Sequence, residues 1–160
     1  MKRSPDDALA ELQKTTQSLF LSTLTVDGKP NGSYAPYILD DKGSFYIFVS
    51  RLASHTNDLL NNPQVSILIA EDEQDARQLF ARQRVSYYCH CSVIEKEVDA
   101  YDALINSFET RFGNIIGLLR TLPDFILFKL DVQSGTFVQG FAQAYEISAN
   151  GLIHKDPSQN

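Results

Sequence analysis

Residues 44–70, SFYIFVSRLASHTNDLLNNPQVSILIA, decide most of what the sequence says about the fold. Residues 44–49 are an apolar run rich in aromatic and β-branched side chains, which is typical of a buried strand. Residues 54–61 follow as a short helix, and residues 64–70 as a second apolar strand. The stretch therefore predicts a strand, a helix and a strand in immediate succession.

Four polar residues lie where the first of these strands ends and the helix begins. They are Ser50, Arg51, Ser54 and His55. The first N–H groups of a helix have no partners within the helix, and the helix dipole is positive at that end. Together with hydroxyls, a guanidinium and an imidazole, they predict a site for an anion such as a phosphate group. The alternative is that Ser54 and His55 are ordinary residues of a helix start.

The rest of the chain predicts a mainly antiparallel sheet with a few helices. Short turns such as Asp27-Gly28 favour hairpins, and a closed barrel removes exposed strand edges. The expected class is therefore mainly β (α+β), a barrel with flanking helices. The other predicted elements are an N-terminal helix within 1–16, strands at 19–26, 29–39, 83–97, 125–132 and 135–147, helical segments at 71–81, 98–112 and 114–121, and a loose tail at 148–160.

Composition predicts one folded domain, residues 1–160. A net charge of −6 argues against general nucleic-acid binding. No apolar run approaches the ~20 residues of a membrane helix, and the N-terminus has no apolar segment of a secretory signal. Cys89 and Cys91 are two residues apart on one strand face, a poor geometry for a disulfide. We therefore expect reduced thiols and a cytoplasmic protein with neither nucleic acid nor membrane as partner.

Two further groups of residues have a functional and a structural interpretation. Cys89-His90-Cys91 looks like a metal motif, but strand alternation points His90 away from both thiols, so no metal site is predicted. Arg82 and Arg84 open a long strand on one face, and two adjacent guanidiniums favour an anion between them. Ion pairs with the acidic segment 71–75 are an equally good explanation, and both remain open. Local spacing supports no catalytic triad, so no catalytic residue is predicted.

Several short motifs, in order, resemble the pyridoxamine 5′-phosphate oxidase-like FMN-binding split-barrel superfamily. The resemblance is closer to its subgroup of haem-utilisation proteins of the HugZ/HutZ type, and it covers residues ~17–147. The motifs are Ser33-Tyr34-Ala35-Pro36, Ser50-Arg51-Leu52-Ala53-Ser54-His55-Thr56, Asn62-Pro63, Ala81-Arg82-Gln83-Arg84, Arg111-Phe112-Gly113 and Gly140-Phe141-Ala142-Gln143-Ala144.

The resemblance implies a six-stranded antiparallel split barrel and a homodimer with cofactor sites at the interface. It implies that the FMN phosphate lies on Arg84, His55 and the helix start capped by Ser54, with the flavin ring against strand 33–37. The cofactor-binding residues implied in this way are Ser33, Tyr34, Ala35, Pro36, Ser50, Arg51, Leu52, Ser54, His55, Arg82 and Arg84.

The predicted function is an FMN-binding oxidoreductase acting on an unidentified small molecule. Pyridoxamine phosphate itself is not the expected substrate, because the basic residues that bind it near the C-terminus of the true oxidases are not recognisable. The alternative is a haem-binding or haem-degrading protein, for which His154 is the candidate iron ligand. A second alternative is a non-catalytic cofactor-binding protein, since fold-level resemblance does not fix function.

Overall fold

The computed structural model describes residues 3–151 and 153–155. Most of the regular structure is β-strand, and α-helices lie between some of the strands. The strands are β1 (Ser18–Leu24), β2 (Pro30–Leu39), β3 (Phe45–Ser50), β4 (Gln64–Ala70), β5 (Arg84–Ile94), β6 (Phe125–Gly140), β7 (Gln143–Ser148) and β8 (Ile153–Lys155). The helices are α1 (Pro5–Thr15), α2 (Ser54–Asn61), α3 (Ala100–Phe112) and α4 (Ile115–Leu119).

Six strands form a closed barrel in the order β3-β2-β1-β4-β5-β6, and β3 pairs with β6 to complete it. Every pairing is antiparallel. Strands β7 and β8 continue the sheet from β6 outside the barrel. The predicted six-stranded antiparallel barrel with flanking helices is therefore confirmed.

Alternation along the strands fills the barrel interior. In β5, Val85, Tyr87, Cys89 and Cys91 are buried, whereas the residues between them face outward, as predicted. Burial raises the pKa of Cys89 to about 12 and that of Cys91 to about 11, so both thiols stay protonated. The two cysteines are free and contribute to the core as small apolar groups.

Helices α3 and α4 cover a second apolar cluster on the outside of β2, β3 and β6. This cluster joins strand residues to helix residues; its members are Ile38, Tyr46, Phe48, Leu127, Tyr101, Ile105, Phe108 and Ile116. Helix α1 begins at the predicted cap, where the Ser4 Oγ accepts from the Asp7 N–H at 3.2 Å. The Arg111 guanidinium of α3 donates to the Thr16 carbonyl at 2.7 Å, so α3 also holds the end of α1.

The closed barrel has a split in its wall, because β2 and β3 pair over only part of their length. Strand β2 pairs with β1 from Pro30 to Pro36 but with β3 only from Tyr37 to Leu39. Near the open stretch, α2 contacts β1 and β2. The first half of β2 thus has no β3 residues paired with it, and helix α2 lies nearby instead.

Three predicted segments differ from the structure. Residues 71–81 contain two short 3₁₀ turns, at 73–75 and 79–81, because this polar segment has no apolar face that would stabilise an α-helix. The strands predicted at 125–132 and 135–147 are instead one strand, β6, followed by a turn at residues 141–142 and then β7. Part of the tail predicted to be loose, residues 153–155, pairs with β7 as β8.

Gly135 explains why a break was predicted inside β6, because a Ser-Gly pair normally favours a turn. Here Gly135 lies opposite Tyr87 in the β5–β6 pairing, and the Tyr87 ring occupies the space above it. A Cβ on Gly135 would lie 2.6 Å from the Tyr87 Cδ1 and 2.8 Å from the Ser86 carbonyl oxygen. The glycine therefore allows an aromatic ring to pack within a continuous strand.

We expect Gly135→Ala to lower the free energy of unfolding by about 1–3 kcal/mol, because the methyl group would overlap with backbone as well as with a ring. Urea denaturation would measure this change. Gly32→Ala is the matched control, since Gly32 is also a strand glycine but no atom lies within 4 Å of its Cβ position. Equal effects of the two substitutions would contradict the role of the Tyr87 ring.

Candidate functional site

The turn between β3 and α2 is held by hydrogen bonds at both of its ends. The Ser50 Oγ donates to the Asp124 carboxylate at 2.6 Å and accepts from the Leu52 N–H at 3.1 Å. The Arg51 N–H donates to the Asp124 carbonyl at 2.8 Å, and the Thr56 hydroxyl donates to the Ser50 carbonyl at 2.5 Å. The predicted site residues at 50–55 are therefore close together and fixed in place.

The side chains next to this turn have different roles from those predicted. Ser54 does not cap α2: the capping residue is Ala53, and no side chain caps the helix. The Ser54 hydroxyl instead accepts from the Asn31 amide at 3.1 Å. Arg51 is exposed and has no ion pair within the described residues, and Leu52 is 91% exposed. Arg51 is thus the one permanent cation in the turn.

His55 is half-buried, and its Nε2 atom is buried with no hydrogen-bond partner in the described structure. Burial lowers the pKa of His55, and the nearby Asp58 carboxylate offsets this only in part. The imidazole is therefore neutral at pH 7. With His55 neutral and Leu52 apolar, the turn fits a phosphate dianion poorly.

Arg82 and Arg84 make their contacts at the other end of the barrel. Arg82 precedes β5 and donates through Nε to the Glu71 carbonyl at 2.5 Å; its Nη1 lies 3.9 Å from the Glu73 carboxylate. Arg84, the first residue of β5, donates to the Arg82 carbonyl at 2.8 Å. Arg82 therefore forms the ion pair with the acidic segment, and the two arginines do not share a strand face.

The strand register separates these arginines from the turn. Ser54 contacts Asn31, which lies opposite Thr23, and the next pair along β1 joins Ser22 to Ser66 of β4. Arg84 lies opposite Ala70, four residues further along β4, which is about 13 Å of strand. One protomer therefore does not bring the two predicted halves of the phosphate site together.

The predicted residues of β2 alternate between the interior and the outside. Ala35 is buried, and the Ser33 Oγ is buried with no partner in the part of the chain that the structure describes. Tyr34 and Pro36 are exposed on the outside. Tyr34 is the only one of these four residues that offers a ring to a ligand on the barrel surface.

Tyr34 belongs to an exposed apolar surface that sequence reasoning missed. We call it the outer face and define it by Phe20, Tyr34, Leu68 and Tyr88, which are 57%, 64%, 36% and 42% exposed. A signal for it was present, because Phe20 and Leu68 lie between buried residues in runs that are apolar at every position. An exposed apolar patch of this kind marks an interaction surface.

A groove of about 450 Å³ adjoins Tyr88 on the same side of the sheet. It is lined by Ser66, Ser86, Ser134, Thr136 and the carboxylate-bearing Glu146, among others. The outside of the sheet is thus apolar at the outer face and rich in hydroxyl groups in the adjoining groove.

Histidine positions also follow from the register. His154 of β8 lies opposite Glu146, and its side chain is outside what the structure describes. His90 is exposed and lies opposite Gln64 on one side and Asp131 on the other. Among the described residues, no three His, Cys, Asp or Glu side chains are arranged to hold a metal ion, and no helix is long and apolar enough to span a membrane.

Comparison with known proteins gives a consistent family match. The family model described as pyridoxamine 5′-phosphate oxidase matches residues 5–139. Heme oxygenase HutZ of Vibrio cholerae serotype O1 is 39% identical over 145 residues, which are 91% of this chain and 82% of HutZ. Non-canonical heme oxygenase HOZ of Arabidopsis thaliana is 49% identical over 49 residues, 31% of this chain and 15% of that protein.

Two solved structures extend the match to three dimensions. One is the crystal structure of HutZ from Vibrio cholerae, described as the heme storage protein, with a TM-score of 0.74 at 38% identity. The match covers 81% of this chain and 89% of the HutZ chain. Campylobacter jejuni ChuZ has a TM-score of 0.86 at 31% identity and covers 100% of this chain and 66% of that one. This chain therefore spans just under two thirds of ChuZ.

We expect His55→Gln to remove part of the pH dependence of folding stability. Because the pKa of His55 is lowered in the folded state, the unfolded chain binds a proton at this histidine at a higher pH than the folded protein does. The free energy of unfolding should be highest above about pH 6.5, the ordinary histidine pKa, and should fall as the pH drops towards the folded-state pKa. Urea denaturation between about pH 5 and pH 7.5 measures this slope.

The control for this experiment is His90→Gln, which removes an exposed histidine and leaves His55 in place. This control should keep the His55 part of the slope. A slope in His55→Gln that matches the wild type would show that His55 titrates alike in the folded and unfolded states, contrary to its burial.

Proposed function

The chain belongs to the pyridoxamine 5′-phosphate oxidase family, and from that premise we propose that it is a haem-binding, haem-degrading member of the family. The proposed iron ligand is His154 and the proposed haem surface is the outer face. FMN, the cofactor favoured by the sequence motifs, becomes the second candidate.

The observation that carries this proposal is a continuous row of paired residues across the sheet. Residues directly opposite each other in antiparallel strands share a face. The row is Tyr34, Phe20, Leu68, Ser86, Thr136 and Glu146, and the backbone of Glu146 pairs with that of His154. The strand position of the histidine lies four strand spacings from Leu68, or about 19 Å. One haem would therefore meet both the histidine and the exposed apolar side chains only if they came from different protomers of a dimer.

Haem needs an axial ligand, apolar contacts for the porphyrin and water exclusion at the iron. The outer face supplies apolar contacts through Phe20, Tyr34 and Leu68. Arg51 is a candidate partner for a propionate, because it has no ion pair in the described residues and a single cation suits a monoanionic carboxylate. Bound haem would supply an iron that activates oxygen, and the chain would bind and orient it.

Similarity to proteins named for haem supports the same choice. HutZ is named a heme oxygenase and is also described as a heme storage protein, and this chain covers 82% of it. The two descriptions differ in whether haem is consumed. Degradation and storage are therefore separate outcomes of the test below.

A homodimer with the cofactor at its interface is part of the proposal. The outer face leaves four large apolar side chains in water, which a second copy would cover. Haem bound on an open sheet would have solvent on one side, whereas a second protomer would exclude it. We also propose a cytoplasmic location, since Cys89 and Cys91 are both free thiols.

FMN stays a candidate because the sequence motifs resemble the FMN-binding split-barrel superfamily and because Arg51 has no ion pair in the described residues. An oxidoreductase with an unidentified small-molecule substrate would follow from it. The neutral His55 and the apolar Leu52 count against tight phosphate binding. A visible spectrum separates the two cofactors, since flavin and haem absorb at different wavelengths.

We expect the purified protein to bind added haemin with a shifted Soret band, and His154→Ala to weaken that binding by at least about tenfold, because the iron would lose its axial ligand. His90→Ala is the control and should leave the spectrum unchanged. Loss of the Soret band under reductant and oxygen would indicate degradation, and a stable band would indicate storage.

Two results would contradict the proposal. A His154→Ala spectrum identical to the wild type would exclude His154 as the ligand. A protein that ignores haemin but becomes yellow with FMN would favour the flavin candidate instead.

A further inference from the structure

Asp58 is a buried carboxylate that α2 carries against the β1–β2 hairpin. It is 6% exposed. Its Oδ2 atom accepts from the Thr23 hydroxyl at 2.8 Å and from the Asn31 amide at 2.8 Å. Thr23 and Asn31 lie opposite each other in the β1–β2 pairing, so one carboxylate oxygen holds both strands.

Burying a carboxylate destabilises the folded state unless hydrogen bonds compensate for the lost water. An apolar side chain at the same position would pack the helix without this loss. A hydrogen bond requires a narrow range of distance and angle, whereas an apolar contact does not. Two donors that converge on one oxygen fix both the rotation of α2 and its position along its axis. Asp58 thus specifies where the helix sits rather than merely that it packs.

Asn31 extends this control to the start of the helix. Its amide also donates to the Ser54 Oγ at 3.1 Å, so one side chain of β2 contacts the first turn of α2 and Asp58 together. On the opposite side, the Asp124 carboxylate accepts from the Ser50 Oγ at 2.6 Å. Two carboxylates therefore hold the turn, one on each side.

Two polar side chains of the turn keep hydrogen-bonding capacity that no described residue uses. The Arg51 guanidinium has no ion pair in the described residues, and the His55 Nε2 has no partner there. Both belong to the turn that is tied to Asp124 through Ser50 and to Asn31 through Ser54. Their positions therefore depend on the placement of α2.

We infer that Asp58 is a positioning residue: it sets where the Ser50–His55 turn presents the Arg51 guanidinium to an anionic group of the bound cofactor. The inference deepens the proposed function and rests on it for the contact with the cofactor. The anionic group is a carboxylate if the cofactor is haem and a phosphate if it is FMN.

The test removes the shared acceptor and then restores it. In Asp58→Leu the Thr23 hydroxyl and the Asn31 amide both lose the oxygen to which they donate. Asp58→Asn keeps one amide oxygen that can accept from both donors, so it is the conservative comparison. Asp27→Asn is the matched control, because it removes an exposed carboxylate from the same hairpin.

Two measurements are needed on each variant. Titration with haemin and with FMN gives cofactor affinity, and the ring NMR signals of His55 report the position of the turn. We expect Asp58→Leu to shift the His55 signals and to weaken cofactor binding by about tenfold, and Asp58→Asn to retain most of the wild-type affinity. Asp27→Asn should match the wild type.

Unchanged affinity in Asp58→Leu would overturn the inference, whether or not the His55 signals move. An equal loss of affinity in Asp58→Asn and Asp58→Leu would also overturn it, because the shared hydrogen bonds would then not be what positions the turn. If Asp58→Leu does not fold, Thr23→Val removes one hydrogen bond of Asp58 with almost no change in shape and replaces it in the comparison. If wild type binds neither haemin nor FMN, the proposed function fails, and the His55 signals alone then decide whether Asp58 positions the turn.

Discussion

The pairing of β3 with β6 is the constraint on which the rest of the structure depends. Six consecutive residue pairs, from Phe45 opposite Leu130 to Ser50 opposite Phe125, turn an open sheet into a barrel. The last pair also places Asp124 beside Ser50, where its carboxylate and carbonyl hold the following turn. The position of the candidate anion site is thus a direct consequence of barrel closure.

Much of the barrel is predictable because burial imposes a period of two on each strand. Strand β5 illustrates this, since its buried and exposed residues alternate from Val85 to Cys91 as its sequence indicates. Gly135 is different: whether it breaks a strand or makes room for a ring depends on Tyr87, which lies 48 positions away in sequence (135 − 87). Local patterns contain no information about such a distant contact.

The candidate site was predictable only in part, for a related reason. Ser50, Arg51 and Ser54 are neighbours in sequence, so their proximity follows from the chain itself. Arg84 also lies at a strand end, but the sequence does not say that this end is opposite to the turn; only the β4–β5 register does. The outer face was missed because apolar residues at every position of a strand suggest burial on both sides.

The two interior thiols have a consequence for the chemical durability of this fold. Peroxides attack the thiolate form of cysteine, and burial keeps Cys89 and Cys91 in the thiol form and away from solvent. The sequence contains no other cysteine and only one methionine. Sulfur, the element in proteins most easily oxidised, is therefore scarce on the surface of the barrel. Cysteine oxidation therefore has no exposed thiol from which to begin in this barrel.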